Sequence, residues 1–116
     1  MVAIYNVPGL LTESAPRELI DENAAIMSGF HSAGMKVMTR ALAEADLREG
    51  LHRIKVPTLL LYGDKDVRSP LSVGEDLHSQ IQTSKLVVIA GAGHLSNVEA
   101  ADRFDAEVRA FLGSVQ

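Results

Sequence analysis

Two short, almost purely apolar runs organise the second half of the chain. Thr58-Leu59-Leu60-Leu61-Tyr62 stops at Gly63, and Lys85-Leu86-Val87-Val88-Ile89-Ala90 stops at Gly91-Ala92-Gly93. Neither alternates apolar with polar, which is how strands covered on both faces of a parallel sheet read. Between them Val73, Leu77 and Ile81 recur at helical spacing. Ser69 can cap that helix and Pro70 can open its first turn. A last helix carries Phe104, Val108, Phe111 and Leu112 on one face. The order strand, helix, strand, helix predicts a parallel βαβ unit with a right-handed crossover.

The first half reads as helices. From Ala15 onward Leu19, Ile20, Ala24 and Met27 share a face, with Ser14 as expected N-cap and Pro16 in the first turn. Gly29 to Gly34 interrupts the pattern, and Met35, Met38, Leu42 and Ala45 then mark a second helix. Asp46 stands three residues before Glu49, an Asp-led relative of the capping box that favours a short helical turn. Residues 1–14 show no assignable pattern. Parallel strands need helices on both faces and further strands alongside, and this chain supplies only two good ones. The rest of the sheet is expected from elsewhere.

Composition narrows the function. A chain of 116 residues suits one domain. Its 11 basic and 15 acidic side chains give a net charge of −4, and it has no Trp. An acidic chain with few aromatics and no basic stripe argues against nucleic acid as a partner. No cysteine is present, which excludes disulfides and thiolate metal sites. No apolar stretch approaches the roughly 18 residues of a membrane helix. The N-terminus lacks a basic region and is broken at Asn6, Pro8 and Gly9, so it does not read as a signal peptide. No membrane partner and a cytoplasmic location are expected.

Binding and catalytic groups of parallel α/β sheets gather beyond the carboxyl ends of the strands. Two polar segments lie there: Gly63-Asp64-Lys65-Asp66-Val67-Arg68-Ser69-Pro70 and Gly91-Ala92-Gly93-His94. Taken singly, Asp66 is a turn aspartate and His94 a loop histidine. Neighbouring strands would bring the two loops side by side, where a carboxylate can hold an imidazole in one tautomer and make His94 a general base. Glycines at 63, 91 and 93 permit sharp turns and close backbone approach.

The run from Ile54 to Asp66, with a glycine three residues before the acid, resembles the strand and acid loop of the α/β-hydrolase superfamily. Gly91-Ala92-Gly93-His94 resembles its histidine loop, and the helix from Phe104 to Leu112 resembles its final helix. The stretch from Phe30-His31-Ser32-Ala33-Gly34 through Ala45-Asp46-Leu47 resembles the end of its helical cap. Acid before histidine also suits the family order.

The resemblance implies the C-terminal part of an α/β-hydrolase fold. Residues 1–53 would be a cap-type helical segment, and residues 54–116 the C-terminal βαβα portion of the core. It further implies Asp66 as triad acid and His94 as general base. The substrates would be small-molecule esters, lactones, thioesters or activated C–C bonds, with no cofactor. Some members of the superfamily use Asp as nucleophile in place of Ser.

No G-x-S-x-G elbow is present. Ser32 is the nearest imitation, but Phe30 replaces the first glycine and the preceding Glu22–Met27 reads as helix, where the elbow needs a strand. The oxyanion-hole segment also lies upstream in the family. The chain therefore reads as a truncated hydrolase, inactive alone. The rival reading is a non-catalytic protein that associates through an exposed sheet edge, with a partner or as a homo-oligomer.

Other residues receive plainer readings. Asp64 fits the acid spacing poorly and reads as a turn or helper residue. Asp64-Lys65-Asp66 also suggests a haloacid-dehalogenase-like, Mg²⁺-dependent phosphotransferase, but that pattern wants Thr or Val where Arg68 stands. Two carboxylates and one imidazole make a thin cation site. Arg68 is expected to pair with a surface acid. His31, His52 and His78 are expected to be exposed. Met35, Met38 and Leu42 form a packing stripe, or the border of an acyl pocket under a cap.

Overall fold

A computed structural model of the protein describes residues 9–115. The expectations resting on Asn6 and Pro8 lie outside them. Along the chain follow α1 (Arg17–Ser28), α2 (Ser32–Glu44), a 3₁₀ segment (Arg48–Arg53), β1 (Thr58–Gly63), α3 (Leu71–Gln80), β2 (Ser84–Ile89), the single turn α4 (Ser96–Glu99) and α5 (Ala101–Ser114). Among the described residues no helix is long and apolar enough to cross a membrane.

The two apolar runs do form strands, and they pair in parallel from Thr58 opposite Ser84 to Gly63 opposite Ile89. This register puts the ends of β1 and β2 level, so both following loops leave the sheet at the same edge. Helix α3 makes the crossover, and α3 and α5 both rest against the strands. Gly74 is what lets α3 approach so closely. A Cβ there would stand 2.8 Å from two carbons of the Tyr62 ring. The fully buried core is small: Ile81, Ile89 and Ala92, with Ile89 only 1% exposed.

Several local expectations are corrected. Helix α1 begins at Arg17 and is capped by Pro16, whose carbonyl accepts the Ile20 N–H. Ser14 does not cap it; its hydroxyl bonds that of Thr12 instead. Ser69 does not cap α3 either, since Pro70 holds the N-cap position and the Ser69 hydroxyl reaches toward Tyr62. In each case the proline supplies the extended backbone a cap requires, which frees the serine for another partner. A short helical turn does follow Asp46, but as a 3₁₀ segment with Leu47 at the N-cap position; the Asp46 Oδ1 accepts the Arg48 N–H at 3.1 Å and the expected capping-box bond to Glu49 is not made.

The strands are less buried than their composition suggests. Residues Thr58–Tyr62 are half-buried and Val88 is 40% exposed. Among the described residues nothing pairs with the outer edge of either strand. The predicted α1 face (Leu19, Ile20, Ala24, Met27) is half-buried, but along α2 Met38 lies open and Leu42 is 69% exposed. The radius of gyration is 16.1 Å, against about 13 Å for a compact chain of this length. The unit is open, with apolar faces left uncovered.

Candidate active site

Beyond Gly63 the two loops are bonded to each other before either reaches its functional side chain. The Asp64 N–H donates to the Ile89 carbonyl at 3.2 Å, and the Lys65 N–H to the Ala92 carbonyl at 2.9 Å. In return the Gly91 N–H donates to Asp64 Oδ1 at 2.7 Å. Gly91 has φ +79°, a left-handed conformation that costs a side-chain-bearing residue about 1–2 kcal/mol. Asp64 is thus a bracket between loops, as its helper reading expects.

Asp66 is held on both oxygens. Its Oδ1 accepts the N–H groups of Arg68 and Ser69, each at 2.9 Å. Its Oδ2 lies 2.9 Å from His94 Nδ1. The Asp66 side chain is 6% exposed and that of His94 38%. The structure brings together the two residues that the sequence singles out. Burial alone would raise the Asp66 pKa. The Ser69 N–H, His94 and the Arg68 N–H together outweigh it and hold the carboxyl below its usual range.

An ionised carboxylate only accepts hydrogen bonds. His94 Nδ1 must therefore carry the hydrogen, and Nε2 presents its lone pair in the neutral ring. The depressed pKa also carries a stability consequence. A carboxyl whose folded pKa lies below its unfolded value near about 3.9 adds stability above that pH, and loses it as pH falls through the folded value. The gap in unfolding free energy between the wild type and Asp66→Asn should therefore shrink as pH drops below about 4. Urea titrations at stepped pH check this, and a gap indifferent to acid counts against the assignment.

The remaining candidates fall elsewhere. Ser32 opens α2 and is exposed, preceded by a helix and a short turn where the elbow would need a strand. His31 is exposed and caps α2, its Nδ1 accepting the Gly34 N–H at 3.3 Å. His52 and His78 are exposed, and His78 Nδ1 lies 2.8 Å from the Ser84 hydroxyl. Arg68 forms no ion pair among the described residues, so the surface pairing expected of it is not seen. Among the described residues no group of three or more His, Asp or Glu side chains could hold a metal ion.

Sequence reasoning missed Glu99. Its Oε2 accepts the N–H of Gly93, the residue before His94, at 2.7 Å. Its Oε1 accepts the N–H and hydroxyl of Thr12 at 2.7 and 2.6 Å. No local signal announces a bond that spans 87 residues.

Comparison with known proteins bears on this arrangement. The model of the TAP-like protein family, an α/β-hydrolase family, matches residues 32–115. The chain is 40% identical over 77 residues to 3-oxoadipate enol-lactonase 1 of Acinetobacter baylyi, a match covering 66% of this chain and 29% of that protein. It is 40% identical over 75 residues to the pimeloyl-acyl-carrier-protein methyl ester esterase of Neisseria meningitidis, covering 65% and 24% respectively. Its structure resembles an esterase from Exiguobacterium antarcticum with a TM-score of 0.84 at 27% identity, over 90% of this chain and 39% of the esterase. The chain thus spans less than a third of the length of either curated relative. In sequence and in fold the chain belongs to the α/β-hydrolase superfamily, and the part of that fold it carries is the C-terminal portion.

Proposed function

We propose that Asp66 and His94 are the acid and general base of a nucleophile–histidine–acid triad, acting on small-molecule esters or lactones. The nucleophile would come from an N-terminal hydrolase segment that pairs with the open edge of the sheet. The observation that carries this reading is the 2.9 Å contact between Asp66 Oδ2 and His94 Nδ1, with Oδ1 already occupied by two backbone N–H groups. Two of the relatives, an enol-lactonase and a methyl ester esterase, act on the same bond type.

The chemistry follows from the tautomer. Nε2 takes the proton of a serine hydroxyl as its oxygen attacks the substrate carbonyl, and Asp66 stabilises the imidazolium that forms. His94 then gives that proton to the departing alkoxide as the acyl-enzyme forms. Water then attacks the acyl-enzyme carbonyl, giving its proton to Nε2, which passes it to the departing serine oxygen as the acid is released. In this reading residues 1–53 form a cap-type segment. The exposed apolar side of α2, including Met38 and Leu42, faces the acyl part of the substrate.

The test uses an activated aryl ester such as p-nitrophenyl acetate. The chain alone should give no rate above buffer. Joined to an N-terminal α/β-hydrolase segment bearing a nucleophile elbow, it should hydrolyse the ester and lose that rate in His94→Ala. A His94-dependent rate from the chain alone would reveal a nucleophile within it. A joined enzyme indifferent to His94→Ala would remove the catalytic role. That outcome would favour a purely associating protein, which the unpaired strand edges also suit.

A further inference from the structure

The histidine loop is anchored by a side chain that the triad itself does not include. Glu99 closes the single turn α4, five residues beyond His94 in the chain. One of its oxygens takes the Gly93 N–H at 2.7 Å, and the other takes both donors of Thr12. A second bond runs alongside, from the Leu95 N–H to the Leu10 carbonyl at 3.0 Å. The residues on either side of His94 are therefore both tied to the segment that leads into α1. The packing is close: a Cβ on Gly93 would stand 2.9 Å from Glu99 Oε2 and 3.3 Å from the Thr12 nitrogen.

All three donors converge on one carboxylate, and Glu99 has no ion-pair partner among the described residues. A carboxylate accepts on both oxygens, whereas an amide of the same shape presents N–H donors on one side. Glutamine here would set donor against donor at Gly93 or at Thr12, so the position calls for an acid.

We propose that Glu99 is a positioning residue for His94. It fixes the Gly93 peptide, and through it the direction in which the imidazole meets Asp66, using residues 10–12 as its anchor. The functional weight of this role rests on the triad reading, but the contact it controls does not. A shift of the segment entering α1 would reach the imidazole through this carboxylate on the Gly93 side and through the Leu10–Leu95 bond on the other.

The test reads the ring rather than turnover, by nuclear magnetic resonance of the 116-residue chain labelled with nitrogen-15. The wild type should show a downfield His94 Nδ1–H signal from its bond to Asp66. Glu99→Gln should abolish that signal while the dispersed amide spectrum of the folded chain persists. Thr12→Val, which removes the hydroxyl contacts to Glu99 and Ser14 but keeps the N–H bond to Glu99, should shift the same signal without abolishing it. An unaltered His94 signal in Glu99→Gln, with the Gly93 and Thr12 amides displaced, would overturn the proposal. Should Glu99→Gln not fold, Thr12→Val decides alone: a shifted His94 signal supports the proposal and an unchanged one overturns it. Because no ester is involved, this result is independent of the hydrolase reading. Glu99 can fail to position His94 in an active joined enzyme, and the reverse.

Discussion

Asp66→Asn, made in the chain joined to a nucleophile-bearing segment, should lower turnover by about 10⁴-fold. The expected size follows from the hydrogen-bond inventory around the carboxyl. Oδ1 is occupied by the Arg68 and Ser69 N–H groups, so an asparagine would place its own oxygen there and turn its amide toward His94. Two donors would then face each other across 2.9 Å unless the imidazole moved its hydrogen to Nε2. That tautomer cannot accept the nucleophile's proton. Substrate binding should change far less than turnover, because Asp66 is 6% exposed and acts through the ring. Steady-state kinetics separates the two. A loss below about tenfold would show that His94 does not depend on Asp66.

Gly63→Ala should be the most damaging small substitution in the strands. Its Cβ would fall 2.5 Å from the Gly93 carbonyl oxygen and closer still to that of Ala92. Both obstacles are backbone, and both are restrained: Ala92 accepts the Lys65 N–H, and Gly93 is held by Glu99. No side chain can swing away, so the histidine loop must lift from the strand end. A cost of about 3 kcal/mol is expected, at the upper end of ordinary overpacking. That corresponds to about 10 °C or more in the midpoint of thermal unfolding. Gly91→Ala is the comparison. A Cβ there meets nothing within 4 Å and pays only for its φ of +79°, about 1–2 kcal/mol. Circular dichroism melts of the two variants should rank Gly63→Ala as the worse. The reverse order would mean that the close approach of strand and loop is not maintained in solution.

The parts of the fold legible in the sequence are those whose signal is local. Thr58–Gly63 and Ser84–Ile89 are strands because continuous apolar runs closed by glycine leave few alternatives. Asp66 and His94 were legible because a parallel pairing fixes where the loops must emerge. The helix caps were not. Ser14 and Ser69 have the right chemistry, but Thr12 and Tyr62 offer competing partners that only the folded chain brings near. Val73 fits the α3 stripe by spacing yet lies exposed, while Gly74 takes the close approach to Tyr62 and Ile81, just past the helix, is buried. Glu99 was invisible for the same reason as the caps: its meaning lies in Thr12, far away in the chain. Nor does any local pattern report that Leu42 and Val88 lie exposed in the folded chain.

The reciprocal bonds between the two loops have a consequence for how this site can vary. Lys65 reaches Ala92 through backbone, and Gly91 reaches Asp64 through one carboxylate, so Asp66 and His94 ride on a single bracketed unit. Changes in the crossover helix would carry both residues along together and leave their spacing intact, whereas the segment entering α1 reaches the histidine loop through Glu99. On the triad reading proposed above, the Asp66–His94 contact is insulated from changes on the crossover-helix side of the pocket. If the triad reading holds, a lineage can remodel substrate preference on that side without retuning the contact each time.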